Sequence, residues 1–157
     1  MIDIRRAIKT DYDVVAKLLQ EFHAAAAGEE IVPFDFESAR KTVDHLNNLD
    51  THSARGAVFV ADDDGAIVGT IAAVLIPVFV NFNVTSCHEA FWFVSSSARS
   101  SGVGLSLLYE LEGWARRQGA KTLTMVSWHG SQHEAMNNVY TNMGFRPMEY
   151  HYWKALT

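Results

Sequence analysis

Apolar and polar positions change period several times along the chain, and each change marks a new element. Ile2, Ile4 and Arg6 alternate, which predicts a first strand ending near Ile8. The period then becomes helical: Val14, Val15, Leu18, Leu19 and Phe22 recur on one face, with Thr10 or Asp11 placed to cap and Gly28 to stop the helix. Glu29 to Phe36 reads as a loop, because Pro33 disfavours helix at the residue before it. Phe36 to Leu49 supports a second helix with Ala39, Val43 and Leu46 as its buried stripe. Ala57–Ala61 and Ile67–Val78 are rich in β-branched residues and flank Asp62-Asp63-Asp64-Gly65, a hairpin signature. Pro77 suits a strand end or an edge.

After a polar connector at Asn81–Ser86 comes His88–Val94, a dense aromatic strand. Ser95–Ser101 is a turn-rich bridge into a helix from Gly102 to Gln118 that Gly119 closes. Leu105, Leu108, Leu111 and Ala115 form its expected inner face, and Glu112 and Arg116 can pair across one turn. Lys121–Trp128 alternates as another strand, Gln132–Met143 is a short helix before Gly144, and Phe145–Lys154 is a last strand. The order predicts an α/β (α+β) fold, a mixed sheet with helices packed on it, as one domain over residues 1–157.

Two segments carry candidate chemistry. In Val94-Ser-Ser-Ser-Ala-Arg99-Ser-Ser-Gly102-Val-Gly104, two glycines open a long amphipathic helix. The unpaired N–H groups of a first helical turn and the helix dipole together favour an anion, and the glycines let a ligand approach the backbone. Arg99 can shape the turn or bond a phosphate. A Walker loop is excluded because no Gly-Lys-Ser/Thr follows, and a dinucleotide loop because Leu107 stands where a small residue is needed. The second segment is Tyr140-Thr-Asn-Met-Gly144-Phe145. A tyrosine there serves either as a general acid for a leaving thiolate or as an amphipathic packing residue.

Together, in this order, the two segments resemble the GCN5-related N-acetyltransferase (GNAT) family. Its acetyl-CoA motif is Arg/Gln-x-x-Gly-x-Gly/Ala, and its later motif is Asn-x-x-Ala-x-x-x-Tyr-x-x-x-Gly-Phe. The resemblance implies the acyl-CoA N-acyltransferase fold: a mostly antiparallel mixed sheet of about six to seven strands flanked by about four helices. It implies acetyl-CoA as co-substrate, held at its pyrophosphate by main-chain amides across Arg99, Ser100, Ser101, Gly102, Val103 and Gly104. It also implies main-chain contacts from Phe93 and Val94 to the pantetheine arm, an oxyanion donor near Val94, and Tyr140 as proton donor to the departing thiolate. Ser96 replaces the usual proline and Ser100 a frequent glycine. His133 and Met136 stand at the Asn and Ala positions, so a side-chain contact from 133 does not transfer.

Glu89, on the strand leading to the cradle, is the candidate base for the amine proton. Its neighbour His88 faces the other way on a regular strand, and a bulge would reverse that choice. His129, His133, Cys87 and His88 do not make a recognised four-ligand spacing, so no metal site is expected. Glu29, Glu30 and Asp35, around Pro33 and Phe34, fall where the family covers its acceptor and would favour a cationic amine.

Charge narrows the partners. The chain of 157 residues is 48% hydrophobic and carries a net charge of −5 without a basic stripe, which argues against nucleic acid as partner. One cysteine cannot close an internal disulfide, and with no apolar leader a reducing, cytoplasmic location is expected. The apolar run Ile67–Val80 is too short and interrupted to span a bilayer, so no membrane association is expected. The expected acceptor is a small-molecule or protein amine, and Ile76–Val80 or Tyr150–Trp153 could join two copies as a homodimer. Two alternatives remain: a non-catalytic acyl-CoA sensor, and a toxin-like acetyltransferase acting on aminoacyl-tRNA.

Overall fold

The computed structural model describes residues 1–26, 28–128 and 133–156, with the backbone alone at Glu29. Five strands form one sheet in the order β1-β2-β3-β4-β5: β1 Ile2–Arg6, β2 Arg55–Asp63, β3 Ala66–Val78, β4 Asn81–Val94 and β5 Thr122–Thr124. The first four pair antiparallel, and β5 runs parallel to β4. Helices α1 (Tyr12–Ala25) and α2 (Phe36–Asn48) cover one face through Val15, Leu19 and Val43, packed on Val58, Val60, Ala72 and Phe91. Helix α3 (Val103–Arg117) covers the other through Leu107, Leu108, Leu111 and Trp114, packed on Phe59, Ile71, Ala73 and Cys87. A short helix α4 (His133–Asn142) follows β5.

Local chemistry explains most boundaries. Asp64 and Gly65 take φ of 51° and 97°, so the β2–β3 hairpin closes through two left-handed residues whose twist matches its strands. Asp35 caps α2 by accepting a 2.7 Å bond from the Ser38 amide. Neither Thr10 nor Asp11 caps α1 with its side chain. The buried Asp11 carboxylate instead takes the Ile8 amide at 2.8 Å and the Arg5 guanidinium at 2.7 Å.

Four expectations need correction. Residues 81–86 are strand rather than connector, because the long β3 supplies a partner for that polar run as far as Asn81. Leu105 is 40% exposed: α3 buries the stripe of Val103, Leu107, Leu108, Leu111, Trp114 and Ala115 instead. β5 keeps only Thr122–Thr124 of the strand expected over Lys121–Trp128, since the chain beyond it leaves the β4 ladder. Phe145–Lys154 is not a strand. Its alternation is present, but no strand edge pairs with it, and Met148, Tyr150, Tyr152 and Trp153 are exposed. Among the described residues the sheet therefore has five strands rather than six or seven.

Candidate active site

The site forms where β4 outruns β5. The parallel ladder joins Ser86, Cys87 and His88 to Thr122, Leu123 and Thr124 and stops there, while β4 continues to Val94. A bulge at Ala90, between the Glu89↔Ala73 and Phe91↔Ala72 pairs, re-aims the strand at that point. Ser95 donates its amide to the Val68 carbonyl at 2.9 Å. By the alternation of an antiparallel ladder, the main-chain groups of Trp92 and Val94 therefore point away from β3, toward the side β5 has left. Phe93 turns its main chain toward β3 and contributes its ring instead.

Glu89 and Tyr140 meet at the far wall of this gap. The Val126 amide donates to Glu89 Oε2 at 2.8 Å, and the Tyr140 hydroxyl donates to the Val126 carbonyl, also at 2.8 Å. One peptide segment is thus held on both its polar groups by side chains from β4 and α4, which replaces the ladder that β5 would otherwise continue. Burial pushes the Glu89 carboxyl up to about 7, partly opposed by the Val126 hydrogen bond. Burial also raises the Tyr140 phenol, and the charge of Glu89 raises it further. Poor solvation thus favours the neutral form of each group and leaves Glu89 to titrate near neutral pH.

The position of Tyr140 follows from a helix cap. Gly144, at φ 86°, ends α4. The Phe145 amide bonds the Tyr140 carbonyl at 3.0 Å and the Gly144 amide bonds that of Thr141 at 3.0 Å, a Schellman arrangement. The rings of Tyr140 and Phe145 lie 5.5 Å apart, as such a cap favours. The Tyr-x-x-x-Gly-Phe spacing is therefore a structural device that fixes where the phenol points. Trp92 flanks it at 6.2 Å.

The cradle lies at the other end of the gap. Ser96–Ser101 winds as a 3-10 turn and Gly102, at φ 79°, begins α3 with no side-chain cap. A Cβ on Gly102 would meet only open space, whereas one on Gly104 would come within 3.3 Å of Trp92 Cζ2. Gly102 thus supplies a left-handed turn and Gly104 a close helix–strand approach. The amides of Val103, Gly104 and Leu105 open the first turn without an intrahelical acceptor. Arg99 folds back, bonding the Val94 carbonyl at 3.1 Å and lying 5.3 Å from the Phe93 ring centre. Its position shapes the turn, and its head remains exposed. Ser100 and Ser101 are exposed beside it, Ser101 bonding the Ala98 carbonyl at 2.6 Å.

The family model described as Acetyltransferase (GNAT) family matches residues 17–145. The chain belongs to the GNAT acetyltransferase family. Solved acetyltransferases share the fold at low identity. A Trypanosoma brucei acetyltransferase superposes with a TM-score of 0.75 at 21% identity, covering 99% of this chain and 100% of its own. A predicted acetyltransferase with acetyl-CoA from Clostridium acetobutylicum gives 0.74 at 17%, covering 100% and 96%. An aminoglycoside acetyltransferase from an uncultured soil sample, in complex with sisomicin, gives 0.72 at 16%, covering 99% and 97%. No curated protein matches the sequence.

Other residues singled out in the GNAT sequence fall outside this gap or do different work. Cys87 is buried under α3, and desolvation pushes its thiol up to about 12, which leaves it un-ionised and packed. His88 is half-buried and pairs with Val74 across β3. His133 Nδ1 lies 2.9 Å from Ser127 Oγ. His129 and the Glu29 side chain lie outside the described residues. Among those described, no three of His, Cys, Asp and Glu converge as metal ligands, and no helix is long and apolar enough to cross a membrane. Sequence reasoning missed Val126, whereas the aromatic run Phe91–Phe93 already offered Trp92 as part of a cleft wall. Trp92 was legible as the position two before Val94 on the same side of the strand. Val126 had no signal, since it acts through its peptide groups.

Proposed function

We propose that the chain is a single N-acetyltransferase domain that moves an acetyl group from acetyl-CoA directly to a primary amine. The observation that carries the reading is the gap between β4 and β5, with an uncapped helix start at one end and a half-buried phenol at the other. The residues fit an acyl-CoA. The α3 amides, with exposed Ser100 and Ser101 beside them, suit a diphosphate. Trp92 Nε1, buried beside Gly104, has no acceptor among the described residues. The Clostridium relative crystallised with acetyl-CoA supports the same reading.

Acetyl-CoA supplies an activated thioester carbonyl. Val94 and Trp92 offer main-chain donors on the open side of β4, and the Val94 amide is the proposed donor to the carbonyl oxygen as negative charge develops there. Glu89 takes the proton the amine nitrogen sheds when its bond to the acetyl carbon forms, directly or through one water. Tyr140 gives its phenolic proton to the sulfur as the carbon–sulfur bond breaks, and recovers one from solvent. The charge of Glu89 opposes phenolate formation at Tyr140, and that opposition is removed once Glu89 has taken the amine's proton, so donation to sulfur follows that step. Arg99 holds the turn against Phe93 rather than acting on the acetyl group.

Isothermal titration tests the reading. Acetyl-CoA should bind at one site per chain, and Arg99→Glu combined with Gly102→Val should abolish the heat while the fold persists. Absence of heat with both acetyl-CoA and CoA refutes it, and binding without turnover on a broad amine panel favours the acyl-CoA sensor instead.

A further inference from the structure

The acceptor side of the gap has its own chemistry. On the face covered by α1, Phe22 bridges the ends of the two diverging strands. Its ring centre lies 6.0 Å from Phe93, at the end of β4, and 6.0 Å from Trp128, edge-on, beyond β5. Trp128 is two residues past Val126, whose main chain Glu89 and Tyr140 hold, so its backbone lies at the edge of the gap. It is nevertheless 46% exposed. A second ring pair, His23 and Phe34 at 5.4 Å, extends this aromatic wall from the end of α1 to the loop before α2.

Charge on this side is mixed. Asp35 caps α2, and its bonds to Ser38 hold its carboxyl below the usual range, so it stays ionised and, with exposed Glu30, puts negative charge on the loop before α2. The acidic charge that reaches Tyr140 is that of Glu89. Arg99, over the Phe93 ring, adds a positive charge to the same corner. At the gap itself a polycation would meet the Arg99 guanidinium as well as Glu89, whereas a single ammonium on a flat apolar body would find aromatic faces and one proton acceptor.

We infer that the acceptor is an arylalkylamine-type primary amine, seated on Trp128 and Phe22 with its nitrogen directed at the gap beside Glu89. The inference rests on the acetyltransferase reading and adds the class of amine. Trp128 supplies the exposed indole face on which a ring stacks or an ammonium rests, and Phe22 sets the angle of that face through its edge contact.

The test measures CoA release by the full chain with tryptamine, spermidine and sisomicin as acceptors, for wild type, Trp128→Ala and Trp128→Phe. Tryptamine should be used with a kcat/KM well above that of either polycation. Trp128→Ala should raise the KM for tryptamine about tenfold, the size expected for one lost ring contact, and Trp128→Phe should restore most of it. Acetyl-CoA titration of each variant reports whether it is folded. A preference for spermidine or sisomicin, or an unmoved tryptamine KM in a folded Trp128→Ala, overturns the arylalkylamine assignment and leaves the acetyltransferase intact. Loss of acetyl-CoA binding in the wild type removes the acetyltransferase reading itself.

Discussion

At the scale of single residues, Val126 links two side chains with different proposed tasks. Tyr140 is already donating to the Val126 carbonyl, so its hydrogen must leave that bond to reach sulfur. Tyr140→Phe keeps the ring contact with Phe145 and loses only the hydroxyl. Its kcat should fall about 100-fold, with acetyl-CoA affinity little changed, when measured by steady-state CoA release. Glu89 can be dissected in the same assay. Glu89→Gln still offers an oxygen to the Val126 amide but cannot accept a proton, whereas Glu89→Ala loses both. A base role predicts that both variants lose rate, and that the wild-type rate rises with pH up to about 7 and then levels. If Glu89→Gln works as well as wild type while Glu89→Ala fails, Glu89 positions Val126 and takes no proton. Stability gives a second readout. The folded carboxyl binds its proton more tightly than the unfolded one, so its contribution is full at low pH and is lost as pH rises through about 7. Thermal denaturation should therefore show Glu89→Gln gaining on the wild type between pH 5 and pH 8.

At the scale of elements, the site depends on where regular structure stops. β5 ends after Thr124, β4 bulges at Ala90, α3 starts without a cap at Gly102, and α4 ends at Gly144. Each irregularity leaves peptide groups or a side chain turned toward the gap. The cap on α4 makes this testable. Gly144→Ala forces a β-carbon into a left-handed conformation at a cost of about 1 kcal/mol. For a chain of this size that lowers Tm by about 2–4 °C. Because the same turn fixes Tyr140 against Phe145, kcat should fall by more than so small a loss of stability explains, and calorimetry alongside CoA release separates the two effects.

At the scale of the whole molecule, the helices and the antiparallel hairpin were legible because each follows from local pattern: the α2 stripe, the Asp64-Gly65 turn, the leucines of α3. The two motifs were legible because their spacing encodes local geometry, a helix start at Gly102 and a helix cap at Gly144. The limits of β4 and β5 were not legible, since a strand ends where its neighbour departs, and that neighbour is distant in sequence. The same reason removed the last expected strand: alternation at Tyr150–Trp153 states which faces a strand would have, but only an available edge makes it one. Amino-acid order thus determined the α+β class, the helix start at Gly102 and the helix cap that places Tyr140. Tertiary packing alone decided that Glu89 and Tyr140 grip one peptide segment and that Trp92, Phe22 and Trp128 line the opening, because those contacts join residues from separate elements across the divergence of β4 and β5.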